Sequence, residues 1–200
     1  MLVFIGVASG GTMQTETVSC LLPALKTLAD NNVQYAVAFQ NGGYKPFNVN
    51  YLVKTAQEAG ASHYMSIDCD MTFPHSGILR LLDADKDIIG ANYNQRFTPQ
   101  YNELLSTAKI KGKDGKFIDM PAAQVPKTTF QCGSLGLGFT LIKMSVFEKL
   151  DKPYFATYES PVDGEFHTED VEFCIKADKA GFEIWCNPTI KIGHIGHAVA

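Results

Sequence analysis

Three apolar runs of strand length, each separated from the next by a polar loop and a stretch of helical spacing, constrain this chain more than any other feature. Leu2-Val3-Phe4-Ile5-Gly6-Val7 is the first run. After Ser9-Gly10-Gly11-Thr12, residues Val18, Leu21, Leu22, Leu25, Leu28 and Ala29 recur three and four apart, which places them on one helical face. The spacing predicts a helix over about 13–31, and Asn31-Asn32 suits its left-handed stop. Gln34-Tyr35-Ala36-Val37-Ala38-Phe39 reads as the next buried strand, ending in the loop Gln40-Asn41-Gly42-Gly43. Val49, Leu52, Val53, Ala56 and Ala59 make a second helix closed by Gly60, and strand 63–68 follows. This β-α-β-α-β rhythm is the signature of a parallel, doubly wound α/β sheet.

The third strand runs into two carboxylates one residue apart, Asp68-Cys69-Asp70. Residues i and i+2 of an extended chain point the same way, so the pair can present oxygens to one hard cation. In open α/β sheets ligands gather outside the carboxyl ends of the strands, where this pair falls. The same residues also read as loop acids before a helix that starts near Pro74, because Asp favours turns and caps.

Beyond Pro74, Ile78, Leu81 and Leu82 form the apolar face of a third helix, and 87–92 reads as a strand. Weak alternation follows from about 97 to 127, with a hairpin around Lys113-Asp114-Gly115 whose lysines read as a solvated edge. Residues 130–143, with Gly133, Gly136 and Gly138, read as a strand that a ligand or neighbouring backbone approaches closely. A short helix over 145–150 leads to a loop, 151–167, bearing Glu159, Asp163 and Glu165. A loop of that length serves as a functional lid or stays disordered. Thr168 reads as the N-cap of a helix carrying Val171, Cys174, Ile175 and Ala177 and ended by Gly181. Two short strands, 182–186 and 189–193, lead into Gly193-His194-Ile195-Gly196-His197. With no internal repeat and no linker, the 200 residues read as a single domain.

Composition excludes some partners. Net charge is −4 and only two arginines occur, Arg80 and Arg96, so nucleic acid is not expected, because phosphate-backbone binding needs clustered cations. Side-chain cations are also scarce near the glycine loops, which leaves a divalent metal to neutralise any diphosphate bound there. Five cysteines without C-x-x-C spacing point to a reducing compartment. No apolar run approaches the length of a membrane span, and the first strand lacks the basic flank of a signal peptide.

Two further groups can carry chemistry. Glu169-Asp170 lies in a first helical turn, where acids also simply complement the macrodipole. His194 and His197 lie near the end of the sequence, where residues are often inert, yet imidazole commonly joins carboxylates at divalent metals.

Taken in order, these features resemble the GT-A glycosyltransferases, particularly the small inverting, family-two-like enzymes of bacteria, phages and large viruses. The resemblance spans nearly the whole chain. It rests on the Ser9-Gly10-Gly11 loop, the Gln40-Asn41 strand end, the D-x-D at Asp68 and Asp70, Gly136-Leu137-Gly138-Phe139, Glu169-Asp170 and Gly193-His194. It implies a GT-A-like, Rossmann-like domain with a mostly parallel central sheet flanked by helices. A nucleotide-binding half would span about 1–95 and an acceptor and catalytic half about 96–200. It further implies a metal-dependent transferase moving a sugar from a UDP- or GDP-sugar to a glycan or other hydroxyl acceptor, with inversion. Asp70 and His194 would then ligate Mn²⁺ or Mg²⁺, with Asp68 at the ribose or the outer shell of the ion. Ser9, Gly10, Thr12, Gln40 and Asn41 would hold the nucleoside, and Arg96 and Gly138 are further donor-site candidates. Where the family often has an acid after the second strand, this chain has an amide. Asp170 would be the general base, Glu169 would lie near a sugar, and loop 153–167 would close over the donor. The compartment implied is the cytoplasm, for a viral chain that of the host.

Three other readings use the same residues. Asp68-Cys69-Asp70-Met71-Thr72 also fits D-x-D-x-T, the nucleophile motif of haloacid-dehalogenase-like phosphatases. Two βα units precede it here, however, and no later G-D-x-x-x-D cluster occurs. A nucleotidyltransferase would need an early glycine loop bearing Lys and Arg, whereas Ser9-Gly10-Gly11-Thr12 has neither. A non-catalytic sugar-binding module would not need both a base candidate and a metal set.

Overall fold

The computed structural model describes residues 1–95, 103–113, 115–159 and 166–196. Its first elements follow the expected rhythm: β1 (Leu2–Ser9), α1 (Thr15–Asp30), β2 (Gln34–Asn41), α2 (Lys45–Glu58) and β3 (His63–Asp68). Next come β4 (Met71–Thr72), α3 (Gly77–Asp83), β5 (Ile88–Ala91) and the hairpin of β6 (Ile110–Lys111) with β7 (Phe117–Ile118). The remainder comprises β8 (Phe130–Cys132), β9 (Phe139–Lys143), α4 (Met144–Phe147), β10 (Tyr158–Glu159), β11 (Phe166–His167), α5 (Glu169–Lys179), β12 (Ile184–Asn187) and β13 (Gly193–His194).

Seven strands form one sheet in the order β2-β1-β3-β9-β5-β12-β8. β1 is parallel to β2 and β3, and β12 is parallel to β5. β9 is antiparallel to both β3 and β5, and β8 is antiparallel to β12. The sheet is therefore mostly parallel, with β9 inserted in reverse at its centre.

Alternation along the strands feeds two cores, because successive side chains point to opposite faces. Val3, Ile5, Val7, Met65, Ile67 and Ile89 pack with Leu21, Ala24 and Leu28 of α1 and with Ile78 and Leu81 of α3. Phe4, Tyr64, Ile88 and Ile142 face the other way, onto Val49, Leu52 and Val53 of α2 and Phe173, Cys174 and Ala177 of α5. Each fully buried aliphatic or aromatic side chain contributes roughly 1.5–3 kcal/mol. Among the described residues no helix is long and apolar enough to cross a membrane.

Several elements differ from the sequence reading. β2 is an edge strand, with Tyr35 and Phe39 exposed, because only β1 pairs with it. The 130–143 run is not one strand: it breaks into β8 at the far edge and β9 at the centre, joined by the loop 133–138. α3 starts at Gly77, three residues after Pro74, whose carbonyl accepts from the Gly77 N–H at 2.8 Å. The expected strand 189–193 shrinks to β13, which pairs antiparallel with β4. The 151–167 loop contains a two-stranded ribbon, Tyr158 opposite His167 and Glu159 opposite Phe166. The expected hairpin turn includes Asp114, and the lid includes Asp163 and Glu165; these three lie outside the described residues.

Candidate functional site

The carboxyl ends of β1, β2 and β3 open on one rim, since Ser9 is in register with Asn41 and Ala8 with Asp68. Backbone and side chain tie the rim loops together. The Gly42 N–H donates to the Ser9 carbonyl at 3.1 Å, and the buried Asn48 amide donates to the Ser9 and Gly42 carbonyls at 3.3 and 3.0 Å. Below them lies a cavity of about 340 Å³ lined by residues that include Ser9, Gly10, Lys45, Asp68, Asp70 and His194. Thr12, Gln40 and Asn41 lie on the same loops outside that lining, with Thr12 and Asn41 exposed.

Asp68 turns toward a cation that the sequence reading missed. Lys45 Nζ is 2.9 Å from Asp68 Oδ2 and 3.3 Å from Glu169 Oε1. The expectation that side-chain cations are scarce at these loops is therefore corrected: the long stem of Lys45 reaches back from the first residue of α2. A lysine there opposes the helix dipole, and the two carboxylates compensate it. Burial alone would lower the Lys45 ammonium, but Asp68, with smaller help from Glu169, holds it above the usual lysine range. The signal in the sequence was a Lys-Pro pair one residue after Gly42-Gly43.

The glycine-rich segment makes room for a second residue the sequence did not flag, Tyr93. Its hydroxyl accepts from the Gly138 N–H at 2.9 Å, and the Gly138 carbonyl accepts from the Asp68 N–H at 3.1 Å. A Cβ on Gly138 would lie 2.6 Å from the Tyr93 hydroxyl and 3.2 Å from Asp68 Oδ2. What approaches this backbone is thus a buried phenol beside Asp68. Burial, and then the charge of Asp68, keep that phenol protonated far above neutral pH.

Asp70 faces His194. The β4–β13 ladder sets His194 opposite Met71, and the Ile195 N–H donates to the Asp70 carbonyl at 2.8 Å. Asp70 Oδ2 and His194 Nε2 are 3.5 Å apart. His194 Nδ1 lies 3.3 Å from the Asn94 carbonyl; a carbonyl only accepts, so Nδ1 carries the proton. Nε2 then meets a carboxylate oxygen, an arrangement that needs a proton or a metal cation between them. A ring N–H held by a backbone carbonyl is the usual support of a metal-bound histidine. Adjacent ligands of an octahedral ion lie roughly 3 Å apart, so both atoms fit one cation. Among the described residues no group of three or more His, Cys, Asp or Glu is assembled.

Glu169 reaches the site through Lys45, and Asp170 starts α5 beside it. Asp170 Oδ1 accepts from the Thr168 hydroxyl and from the Val171 N–H, the latter at 2.9 Å. Its negative charge also raises the Tyr93 phenol. Arg96 and His197 lie outside the described residues.

A sheet in this order, with a D-x-D at the end of β3 and a reversed strand crossing beside it, is a GT-A-like fold. No family model and no curated protein matches the sequence. Among solved structures, A197 from STIV superposes with a TM-score of 0.60 at 16% identity, over 98% of this chain and 87% of that one. GalNAc-T7, solved with UDP, GalNAc and Mn²⁺, superposes with a TM-score of 0.54 at 10% identity. That match covers 100% of this chain, which spans 44% of GalNAc-T7. At such identities the likeness is one of fold.

Proposed function

We propose that this protein is a metal-dependent glycosyltransferase that moves a sugar from a nucleotide-sugar donor to a hydroxyl acceptor with inversion. The observation that carries this reading is the Asp70–His194 pair in the lining of the cavity below the β1 and β2 loops. The nucleoside lies against Ser9, Gly10, Gly42 and Gly43, where backbone without side chains admits close approach. Asp70 and His194 hold Mn²⁺ or Mg²⁺, which when bound supplies positive charge for the leaving diphosphate. Asp68, held by Lys45, orients the ribose or sugar. Asp170 takes the acceptor hydroxyl proton as that oxygen bonds to the anomeric carbon. The bond from this carbon to the diphosphate oxygen breaks, and its electron pair leaves with the nucleotide. Residues 1–95 supply most of the donor contacts, and the half from about 96 to 200 supplies the base Asp170 and the metal ligand His194. All five cysteines are free thiols, which fits the cytoplasm.

Calorimetry with UDP and GDP tests this reading directly. We expect one of them to bind in Mn²⁺ and to lose most of its affinity in excess EDTA; equal affinity in both conditions sinks the metal-dependent reading.

A further inference from the structure

Next to the donor cavity, the exposed side of α2 and the segment 152–156 enclose a larger hollow of about 570 Å³. Buried Pro46 and Phe155 form its floor, and Tyr44 and Phe47, 56% and 61% exposed, form its sides. Small-molecule sites have this size and this predominantly apolar lining. Tyr51, 48% exposed, continues the aromatic row along α2, and contiguous exposed apolar surface marks a contact site.

Asn50 and the Gln57 amide nitrogen, polar groups in the walls, are spent on the protein itself. Asn50 Nδ2 donates to the Pro46 and Phe155 carbonyls, both at 2.7 Å, and Oδ1 accepts from the Tyr154 and Phe155 N–H groups. Gln57 Nε2 donates to the Tyr154 hydroxyl at 3.1 Å. A sugar ring seated here would bury hydroxyls without partners, at a cost of about 1–3 kcal/mol each, whereas carbon would not. Charge is placed at one end only. Lys54 and Lys152 lie toward the carboxyl end of α2, where Lys54 makes a long, exposed pair with Glu58 at 3.7 Å, weak enough for an anion to displace. At the other end of the helix Lys45, between wall residues Tyr44 and Pro46 in sequence, reaches Asp68, which lines the donor cavity, and Glu169. Lys45 and Lys54 are nine residues apart on one helix, roughly 14 Å at its rise per residue.

Resting on the transferase reading, we propose that the hollow binds the acceptor, and that the acceptor is an amphipathic molecule with an anionic group at one end, a hydroxyl at the other and a hydrocarbon body of about that length between. Lys54 and Lys152 take the anion, the aromatic row takes the hydrocarbon, and the hydroxyl reaches Glu169 and Asp170. It binds as single molecules rather than as a membrane surface.

Calorimetry with 12-hydroxydodecanoate, without nucleotide, tests the site. We expect binding to the wild-type protein, weaker binding of 1,12-dodecanediol, and none of maltose. Phe47→Asp should weaken the hydroxy acid about tenfold or more, the scale of one lost apolar contact, and the double variant Lys54→Glu, Lys152→Glu should erase its advantage over the diol. Both variants alter exposed side chains, so melting curves and Mn²⁺-dependent UDP binding should stay as in the wild type. Unchanged hydroxy acid binding in Phe47→Asp overturns the proposal, as does maltose binding that this variant abolishes. Sedimentation showing a dimer that Phe47→Asp dissociates would assign the hollow to a second copy. Retention on anionic vesicles without binding of the monomeric acid would assign it to a membrane. If UDP binds with Mn²⁺ and the hydroxy acid does not, the acceptor proposal alone fails. If the acid binds and no nucleotide does, the transferase reading fails, and with it the acceptor role of this site.

Discussion

Asp68 and Asp70 lie two residues apart, yet the structure sends them into different company. Asp68 shares the Lys45 ammonium with Glu169 and sits against the Tyr93–Gly138 contact. Asp70 faces His194 across 3.5 Å and is tied to the separate two-stranded ladder of β4 and β13. One carboxylate is thus neutralised from within, by a lysine that its carboxylate partners keep charged against the pull of burial, while the other meets an imidazole nitrogen. The difference teaches that a D-x-D need not be a single metal clamp. Here the first acid shares a cation with Glu169, and the second faces His194.

If that division is right, the largest effect belongs to the Asp68 side. Asp170→Asn should lower the transfer rate by about two to four orders of magnitude while Mn²⁺-dependent nucleotide binding stays intact; a variant with the wild-type rate returns Asp170 to its contacts with Thr168 and Val171. Next, His194→Ala should raise the Mn²⁺ concentration needed for half-maximal nucleotide binding by about tenfold or more, with Asp68→Asn shifting it far less. Titrations in which the two variants behave alike would merge the two sites into one.

Replacing the shared cation asks whether Asp68 and Glu169 depend on it. Lys45→Met leaves Asp68 and Glu169 without their shared cation, and we expect a loss of about 1.5–3 kcal/mol at pH 7, the range for a charged hydrogen bond. Because the folded pKa of Lys45 is raised, its contribution is fully present below the unfolded value near 10.4 and is lost only as pH rises through the higher folded value. The wild-type protein should therefore show no loss of this contribution between pH 6 and 9. Urea melts of the wild type and the variant at pH 6, 7 and 9 report the deficit and its constancy. The smallest effect concerns Cys69, whose thiol is raised by burial first, then by Asp70 and to a lesser degree by Asp68. Alkylation at pH 8 should be faster in Asp70→Asn than in Asp68→Asn; the reverse order would contradict the arrangement of charge described here.

The sequence by itself determined the βα rhythm, the boundaries of β3, the glycine loops, and the acids and histidine that line the rim. These are local signals: helical and strand periodicities, and loops that break them, are written within a dozen residues. Only the tertiary structure decided which partner each acid received. Lys45 and Asp68 are 23 residues apart, and His194 reaches Asp70 because β13 pairs with β4 in one register and not another. The same holds for residues 130–143. Their composition reads as one strand, but β9 fits between β3 and β5, whereas β8 pairs with β12 at the edge. Tyr93 carries no local mark of its place, since its hydroxyl finds Gly138 only when two distant segments pack. Contacts between segments far apart in the chain depend on the register and packing of the whole sheet, and no window of sequence contains that information.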